Sequence, residues 1–595
     1  MEFIKNHRRS LVILLTPVLL SPIVPLHEQM GLTPRACNCL YMLLIMAVYW
    51  CTEVIHLAIT ALLPLMLAPL MGILEADVVC KNYFKDKIAL FFGTMVIATS
   101  IQHSGLHRRI ALTFIKLFGT NPRFLMLGFM LPTWFLSMWV SNSATAVMMV
   151  SILNCVIEQL RVEHKQLDST ECQRLADMKS NTSPESFHVA QPSEDVELQL
   201  KNGEATIEEG VNLATIEEGV NCNNQDTTSL DSTDKSTATA RFEMTAKCLC
   251  LAVCYSATCG GVATLTGSGT NLVFYDNIFE VGNRLEYDFK LTLPRWIGFA
   301  MPISILLFVI CWVWLQVLFI GCRTSFLQTK EDKKRIADVI NKEYSSLGRV
   351  NWQEGVTLAH FILLIVLWLG RYPAKAGGWG LLFPEGYVTD ATAAMLVAIS
   401  VLFMPKYPPL FLRMKSSRPF ESLLSWQHMT LKVNWGVIFL VAGGFALADC
   451  VNKSGLSAAI GSSLQFVSNF PVWAMILTIC CLTALITEFT SNVVISSLIQ
   501  PILADIAVQG KINPVLLMAP SCIASSFAFA LPVATPPNAI VYSAGVLRIW
   551  DMVKAGVLLN IVAILVVLIA GMAWLPIVFD FQSFSYDTNS TSPFV

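Results

Sequence analysis

Long apolar runs separated by short polar connectors dominate the chain. Windows long enough to cross a bilayer, roughly 17–25 residues, recur near 11–28, 37–52, 55–74, 88–105, 124–140, 246–262, 294–320, 354–371, 388–405, 435–450, 472–489, 514–531 and 555–579. Two stretches break the pattern. Leu136–Met149, LSMWVSNSATAVMM, holds Ser141 and Asn142 in mid-run, and Thr487–Ile499, TEFTSNVVISSLI, holds Ser491 and Asn492. Polar amides and hydroxyls at membrane depth are costly unless they face protein, water, ions or a ligand. Non-helical backbone is tolerated there where it lines a cavity. The pattern therefore predicts re-entrant helical hairpins near 130–150 and 485–500, with about 11 full spans besides.

The two stretches belong to a longer correspondence. Ser491 lies 350 positions after Ser141, as Gly455 lies after Gly105 in Ser-Gly-Leu and Gly443 after Gly93. Downstream, TLTGSGTN ends at Asn271 and LPVATPPN ends 267 positions later at Asn538. The missing 83 positions match a polar insertion between Arg161 and about Glu243. One internal repeat with an insertion in its first copy accounts for every pair.

Composition narrows the class. The chain has 595 residues, 54% hydrophobic and 14% charged, against about 25% charged in soluble domains. This is an all-α polytopic membrane protein. The net charge of −2 and the lack of a basic domain leave no case for nucleic acid. The 17 cysteines follow neither zinc nor secreted-disulfide spacing and read mostly as small buried hydrophobes.

Residues 161–243 are acidic, rich in Ser, Thr, Asn and Gln, and contain ATIEEGVN twice, at 205–212 and 214–221. Such a segment buries too little apolar surface to fold, so a disordered cytoplasmic loop is expected. Lys5, Arg8 and Arg9 before the first run favour a cytoplasmic N-terminus. The sequon at Asn589 places the C-terminus outside if glycosylated; the sequon at Asn181 argues the opposite way for the loop. An odd number of crossings is the logic of inverted repeats in secondary transporters. The expected organisation is 1–160, the first part of repeat 1 with its hairpin; 161–243, the loop; 244–322, the rest of repeat 1; 323–352, an amphipathic cytoplasmic connector; 353–579, repeat 2 with the second hairpin; and 580–595, an extracellular tail.

The candidate chemistry lies at the breaks. Broken helices expose carbonyls at C-terminal ends, which suit a cation, and N–H groups at N-terminal ends, which suit an anion. Ser141, Asn142 and Ser143 could present both, and Thr264, Thr266, Gly267, Ser268, Thr270 and Asn271 add further groups. Pro536 and Pro537 break the second helix by removing donors. Each Ser-Asn tip would meet the broken helix of its own repeat in one cation site, with substrate between the tips. Glu53 and Glu488 are the intramembrane acids, either functional or structural acceptors, with His56 a partner for Glu53. Asp449 reads as interfacial, and His103, His107, Arg108 and Arg109 as a solvated or headgroup-level cluster. Neither a nucleophile triad nor a Walker A motif is visible, so neither an enzyme nor an ATP-driven pump is expected.

At these residues the chain resembles the divalent anion/sodium symporter family, the sodium-coupled dicarboxylate, citrate and sulfate carriers. WCTEV at 50–54, GLHRRIA at 105–111, LSMWVSNSAT, TLTGSGTN, GGFALA at 443–448, SGLS at 454–457, TEFTSNV, SFAFALPVATPPNAIVYS at 526–543 and DMVKAG at 551–556 carry the resemblance over nearly the whole length. It implies a plasma-membrane homodimer of scaffold and transport domains with an elevator-type movement. It also implies sodium at Ser137, Ser141, Asn142 and Gly267 in one site and at Thr487, Thr490, Asn492 and Ala534 in the other. Substrate would meet Asn142, Ser143, Thr266, Ser268, Asn492, Val493 and Thr535. Ser143 stands where the family usually has Thr, and Thr270 where carboxylate carriers usually have Pro. Thr270 and FALADC resemble the sulfate carriers; TSNV and VATPPN resemble the dicarboxylate and citrate branch. Sodium-coupled symport of succinate or citrate is the expected function. Sulfate transport and a non-transporting anion sensor are the alternatives.

Overall fold

A computed structural model describes residues 8–119, 121–158, 229–289, 291–321, 330–371, 377–384, 386–408, 420–463 and 470–581. The described residues are helical, with only an isolated bridge between Pro405 and Ser422. Both sequons, most of the 161–243 loop and the tail beyond residue 581 lie outside them. The helix Ser229–Ala263 begins inside the stretch expected to lack structure. Adding residues to an existing helix is far cheaper than nucleating one, so the apolar segment carries its polar approach with it.

Eight described helices are long and apolar enough to cross a membrane, or nine with one bent pair, fewer than the spans expected from hydropathy. The difference has a physical cause. The windows near 124–140, 388–405, 472–489 and 514–531 form helices of 16, 14, 16 and 11 residues. At 1.5 Å per residue, 14 residues reach only about 21 Å of a hydrocarbon core about 30 Å thick. The 55–74 window is split into Leu57–Thr60 and Leu63–Leu70, with Pro64 in the first turn of the second piece. Apolar content predicted these runs; breaks shortened them.

The breaks follow the repeated motifs. The first hairpin has arms Pro122–Ser137 and Asn142–Glu158, and the second has Val472–Thr487 and Asn492–Gln509. Each is followed by a broken helix. In the first, Glu243–Ala263 gives way to Gly269–Leu285; in the second, Pro514–Ala524 gives way to Pro536–Ser543. The residues before the restarts have the same extended backbone, Ser268 at φ −141°, ψ 144° and Thr535 at φ −141°, ψ 150°. Gly105 and Gly455 also match, at φ +76° and +80°, each separating a long helix from a shorter one. At Gly105 the chain bends by 67°. An L side chain resists that backbone conformation, so glycine serves there.

Burial places the broken helix at the centre. Of the span Glu243–Ala263, 94% is buried within the protein, against 28% for Ile549–Val578 and 6% for Arg9–His27. The outer helices present Leu, Ile and Val to the surroundings, among them Leu558, Ile561 and Leu565. Small residues allow close helix approach, as in other membrane bundles. A methyl group at Gly93 would fall 3.0 Å from Ala394, and one at Gly443 would fall 2.3 Å from the Ala61 carbonyl oxygen.

Two charged groups are held by partners that sequence does not reveal. Arg109 is buried rather than solvated. It pairs with Glu354 at 3.0 Å and donates to the carbonyls of Leu347, Gly348 and Arg349. Its neighbour Arg108 pairs with Glu343, on the connector helix Lys330–Ser346. Asp449 is 9% exposed, and accepts from Asn82 at 3.0 Å and from Lys453. Partners hundreds of positions away cover both groups.

The tight crossing yields a prediction. Gly443→Ala should lower the midpoint of thermal unfolding in detergent, because backbone blocks the added methyl. Gly355→Ala, where a methyl meets nothing within 4 Å, should leave the midpoint unchanged. Size-exclusion profiles after graded heating would read both.

Candidate functional site

The first tip is tied to its broken helix by neutral oxygens. The fully buried Ser137 hydroxyl shares its proton between Asn142 Oδ1 at 2.6 Å and the Ala257 carbonyl at 2.8 Å. The Asn142 amide lies over Gly261, where a methyl would fall 2.3 Å from Oδ1. Thr264 donates to the Met138 carbonyl and accepts from the Gly267 amide at 3.1 Å. Asn271 Nδ2 closes the unwound turn by donating to the Gly261 and Thr264 carbonyls, at 3.0 and 2.7 Å. A methyl at Gly267 would fall 2.7 Å from the Gly261 oxygen and 3.1 Å from that of Met138. Ser137, Asn142 and Gly267 therefore share one small volume rich in carbonyls.

The second half repeats this arrangement. Thr487 shares its hydroxyl proton between Asn492 Oδ1 and the Ser525 carbonyl, both at 2.9 Å. Asn538 Nδ2 donates to the Ala528 and Leu531 carbonyls, at 2.7 and 2.9 Å. Thr487 and Asn492 follow Ser137 and Asn142 by 350 positions; Asn538, Ala528 and Leu531 follow Asn271, Gly261 and Thr264 by 267. The offsets found between motifs thus recur in the hydrogen bonds.

One position differs. Glu488 stands where the first half has Met138. It accepts from the Ala530 and Leu531 amides, each at 3.0 Å, and from Asn560 Nδ2 at 2.5 Å. Of the two readings open for this acid, the structural acceptor fits its partners. Glu53 is different: it is exposed, at φ +48°, while His56 caps the next helix by accepting from the Ala58 amide at 3.3 Å.

The second hairpin also touches the first broken helix. Val493 packs on Gly269, where a methyl would fall 2.8 Å from its Cγ2. Ser496 donates to the Thr270 carbonyl at 3.4 Å, and the Thr270 and Ser526 hydroxyls are 3.3 Å apart. The start of Gly269–Leu285 is therefore shared between halves.

The other expected residues are placed as follows. Ser141 accepts from the Ala144 amide at 3.4 Å, and Ser268 caps its helix by accepting from Thr270 N at the same distance. Ser143 is half-buried in the first turn after the first tip. Ala534 is buried in the second unwound turn, its amide donating to Leu531 O at 3.3 Å. Thr266, Thr490 and Thr535 are buried, and among the described residues their hydroxyls have no hydrogen-bond partner. An unsatisfied buried polar group costs about 1–3 kcal/mol, and these three, two beside the unwound turns and Thr490 in the second tip, are groups a ligand would satisfy. Among the described residues, no group of three or more His, Cys, Asp or Glu could hold a metal. The gathered donors are neutral hydroxyl, amide and carbonyl oxygens, which suit a hard monovalent cation. Lys85 is engaged elsewhere, by Asp276 and Glu280 at 2.9 and 3.0 Å.

Comparison with known proteins places the chain in a family. Residues 5–580 match the family described as sodium:sulfate symporter transmembrane region. The chain belongs to the divalent anion/sodium symporter family. It is 35% identical to solute carrier family 13 member 1 of Rattus norvegicus over 99% of this chain and 98% of that one. It is 36% identical to the Na(+)/citrate cotransporter of Mus musculus, covering 98% and 97%. Against the Na(+)/dicarboxylate cotransporter 3 of Rattus norvegicus the identity is 34%, covering 97% and 93%. Symporters of this family are ion-coupled transporters, not enzymes, and this member is a multi-pass membrane protein that couples anion transport to sodium.

Sequence reasoning named most of this symporter's tip residues but gave no role to Asn538 and only a general one to Asn271. The signal was present: each asparagine ends its motif, one turn into a helix that follows unwound backbone. Glu488→Ala leaves the Ala530 and Leu531 amides without their acceptor, which should cost about 1–3 kcal/mol apiece. Thermal unfolding in detergent should show a large downward shift, with Glu488→Gln intermediate. An unchanged midpoint for Glu488→Ala would mean that the acid does not hold the second turn.

Proposed function

We propose that the chain is a sodium-coupled symporter of small di- and tricarboxylates such as succinate and citrate, acting in the plasma membrane. The observation that carries this reading is the matched pair of tips, Ser137 with Asn142 and Thr487 with Asn492, each bonded to a carbonyl beside an unwound turn. Sodium would use Ser137, Ser141, Asn142 and Gly267 in one half, and Thr487, Thr490, Asn492 and Ala534 in the other, several through carbonyls. Substrate would lie between the tips, against Asn142, Ser143, Thr266, Ser268, Asn492, Val493 and Thr535.

Charge balance supports coupling. Among the described residues, the hydrogen-bond partners of the two tips include no lysine or arginine. Of the four helix starts, the one at Pro536 and Pro537 lacks N–H groups on its first two residues, so a dianion would gain from the other three, at Asn142, Gly269 and Asn492. Each presents amide N–H groups, but a helix terminus supplies only about half an elementary charge. Sodium supplies the rest, so anion and cation binding depend on one another.

The family relationship further supports a homodimer with an elevator-type movement of hairpins and broken helices against a scaffold. It also supports two inverted repeats, a cytoplasmic N-terminus and an extracellular C-terminus. The matched hydrogen bonds at constant offsets are consistent with the repeats. Sulfate transport is the second reading, favoured by Thr270, whose hydroxyl lies 2.8 Å from that of Ser268 and 3.3 Å from that of Ser526. Relatives named for citrate and for dicarboxylate are equally similar to this chain, within 36% and 34% identity, so similarity alone does not select the substrate.

Uptake of radiolabelled succinate, citrate and sulfate, with sodium or choline as the cation, tests these readings. The expected result is carboxylate flux that falls at least about tenfold without sodium, an effect of 1.4 kcal/mol or more. Sodium-dependent sulfate flux alone selects the second reading. Ligand-induced thermal stabilisation without flux selects a sensor. Asn142→Ala and Asn492→Ala should each abolish coupled uptake at normal surface expression; unaltered sodium affinity in both would show the ions to bind elsewhere.

A further inference from the structure

Each half of the site reaches into the other through a thiol. Cys254, on the helix that supplies the Ala257 carbonyl to the first tip, donates to Asn538 Oδ1 at 3.0 Å. Cys522, just before the Ser525 carbonyl that meets the second tip, shares its thiol proton between Asn271 Oδ1 and the Thr270 carbonyl, both at 3.4 Å. Both cysteines and both asparagines are fully buried. Asn271 and Asn538 are the same residues whose amides close the unwound turns. The contacts are therefore reciprocal: a thiol from each half orients the asparagine that shapes the other half.

The path is short and made of discrete bonds. From the first tip it runs through Ser137 to Ala257, back one helical turn to Cys254, across to Asn538, and into the Ala528 and Leu531 carbonyls. From the second it runs through Thr487 to Ser525, back one turn to Cys522, across to Asn271, and into the Gly261 and Thr264 carbonyls. A cation drawing on Asn142 Oδ1 competes with the Ser137 hydroxyl for that oxygen and so leaves the proton to the Ala257 carbonyl. A carbonyl shift there moves the helix turn that carries Cys254.

A packing role alone explains a buried cysteine in most membrane helices. Here the same residue type makes the same contact twice, at offsets of 268 for the thiols and 267 for their acceptors. Apolar packing needs no oxygen acceptor, whereas orientation of an amide does. An amide with both N–H groups committed to carbonyls has its Oδ1 pointing one way only, and each thiol meets that oxygen.

We propose that Cys254 and Cys522 are positioning residues that couple the two sodium half-sites through Asn538 and Asn271. The coupling rests on the sodium reading above, and the test separates the two. Full-length protein is purified in detergent and its thermal midpoint is followed against sodium chloride, with choline chloride holding ionic strength; sodium-activation curves of uptake are measured in parallel.

Wild-type protein should show sigmoidal sodium dependence in both. In Cys254→Ala and in Cys522→Ala the Hill coefficient should fall towards one, and half-saturating sodium should rise about three- to tenfold, as for loss of one buried hydrogen bond. The substrate KM at saturating sodium should change by less than about twofold, because no thiol meets substrate. Cys254→Ser, which keeps a donor, should restore sigmoidicity; Cys254→Val, which keeps volume without a donor, should not. The serine–valine comparison also serves if the alanine variants fail to accumulate. Alanine or valine variants with lower flux but an unchanged Hill coefficient would reduce the thiols to packing and overturn the coupling, with sodium binding intact. Wild-type protein with no sodium-dependent stabilisation or flux would overturn the sodium reading and the coupling together.

Discussion

A peptide group left unpaired within a bilayer has no water to turn to, and the architecture of this protein answers that constraint at four interruptions. Two hairpins turn over four residues each, between Ser137 and Asn142 and between Thr487 and Asn492, and two helices unwind before Gly269 and Pro536. Uncompensated backbone there would cost several kcal/mol per group. The compensation is local and specific. One asparagine per half donates twice to the loosened carbonyls, and one hydroxyl per half bridges tip to helix. Among the described residues, the side-chain groups left without a hydrogen-bond partner near these breaks include the hydroxyls of Thr266, Thr490 and Thr535. The scaffold thus offers a restricted set of oxygens and amides to whatever binds.

That set is neutral, and the neutrality has consequences. Structural charges are satisfied in pairs away from the tips: Arg109 with Glu354, Lys85 with Asp276 and Glu280, Asp449 with Asn82 and Lys453. A permanent lysine at the site would attract a dianion tightly in every conformation and hold it whether or not an ion had bound. A site that borrows its positive charge from solution makes anion binding depend on bound cations.

Much of this was legible in the chain. Ser141-Asn142 and Ser491-Asn492 betray themselves because amides in apolar runs have few tolerable explanations, and constant offsets turn two oddities into one pattern. The glycines at 105 and 455 and the prolines at 536 and 537 mark breaks for backbone reasons that need no partner. Groups whose meaning depends on a distant partner were not legible. Arg109 reads as solvated until Glu354 and three carbonyls are seen around it. Asp449 depends on Asn82, 367 positions away. The described residues hold fewer long apolar helices than apolar windows for a related reason, since hydropathy measures apolar content and not whether a helix runs unbroken. Cys254 and Cys522 are ordinary cysteines in sequence, and only the contacts across halves distinguish them.

The two halves are alike but not identical, and the differences fall where they alter binding. Glu488 replaces Met138, so the second unwound turn is pinned by a carboxylate accepting two amides, whereas the first is held by the Thr264 hydroxyl on a carbonyl. Ala534 replaces Gly267, and the glycine sits where a methyl would strike two carbonyl oxygens. The first turn is therefore closer-packed around its oxygens and lacks an acid; the second is more rigidly anchored and has one nearby. The two halves thus solve the same backbone problem with different chemistry, a hydroxyl on a carbonyl in one and a carboxylate on two amides in the other, and the carboxylate is spent on that anchoring and on Asn560.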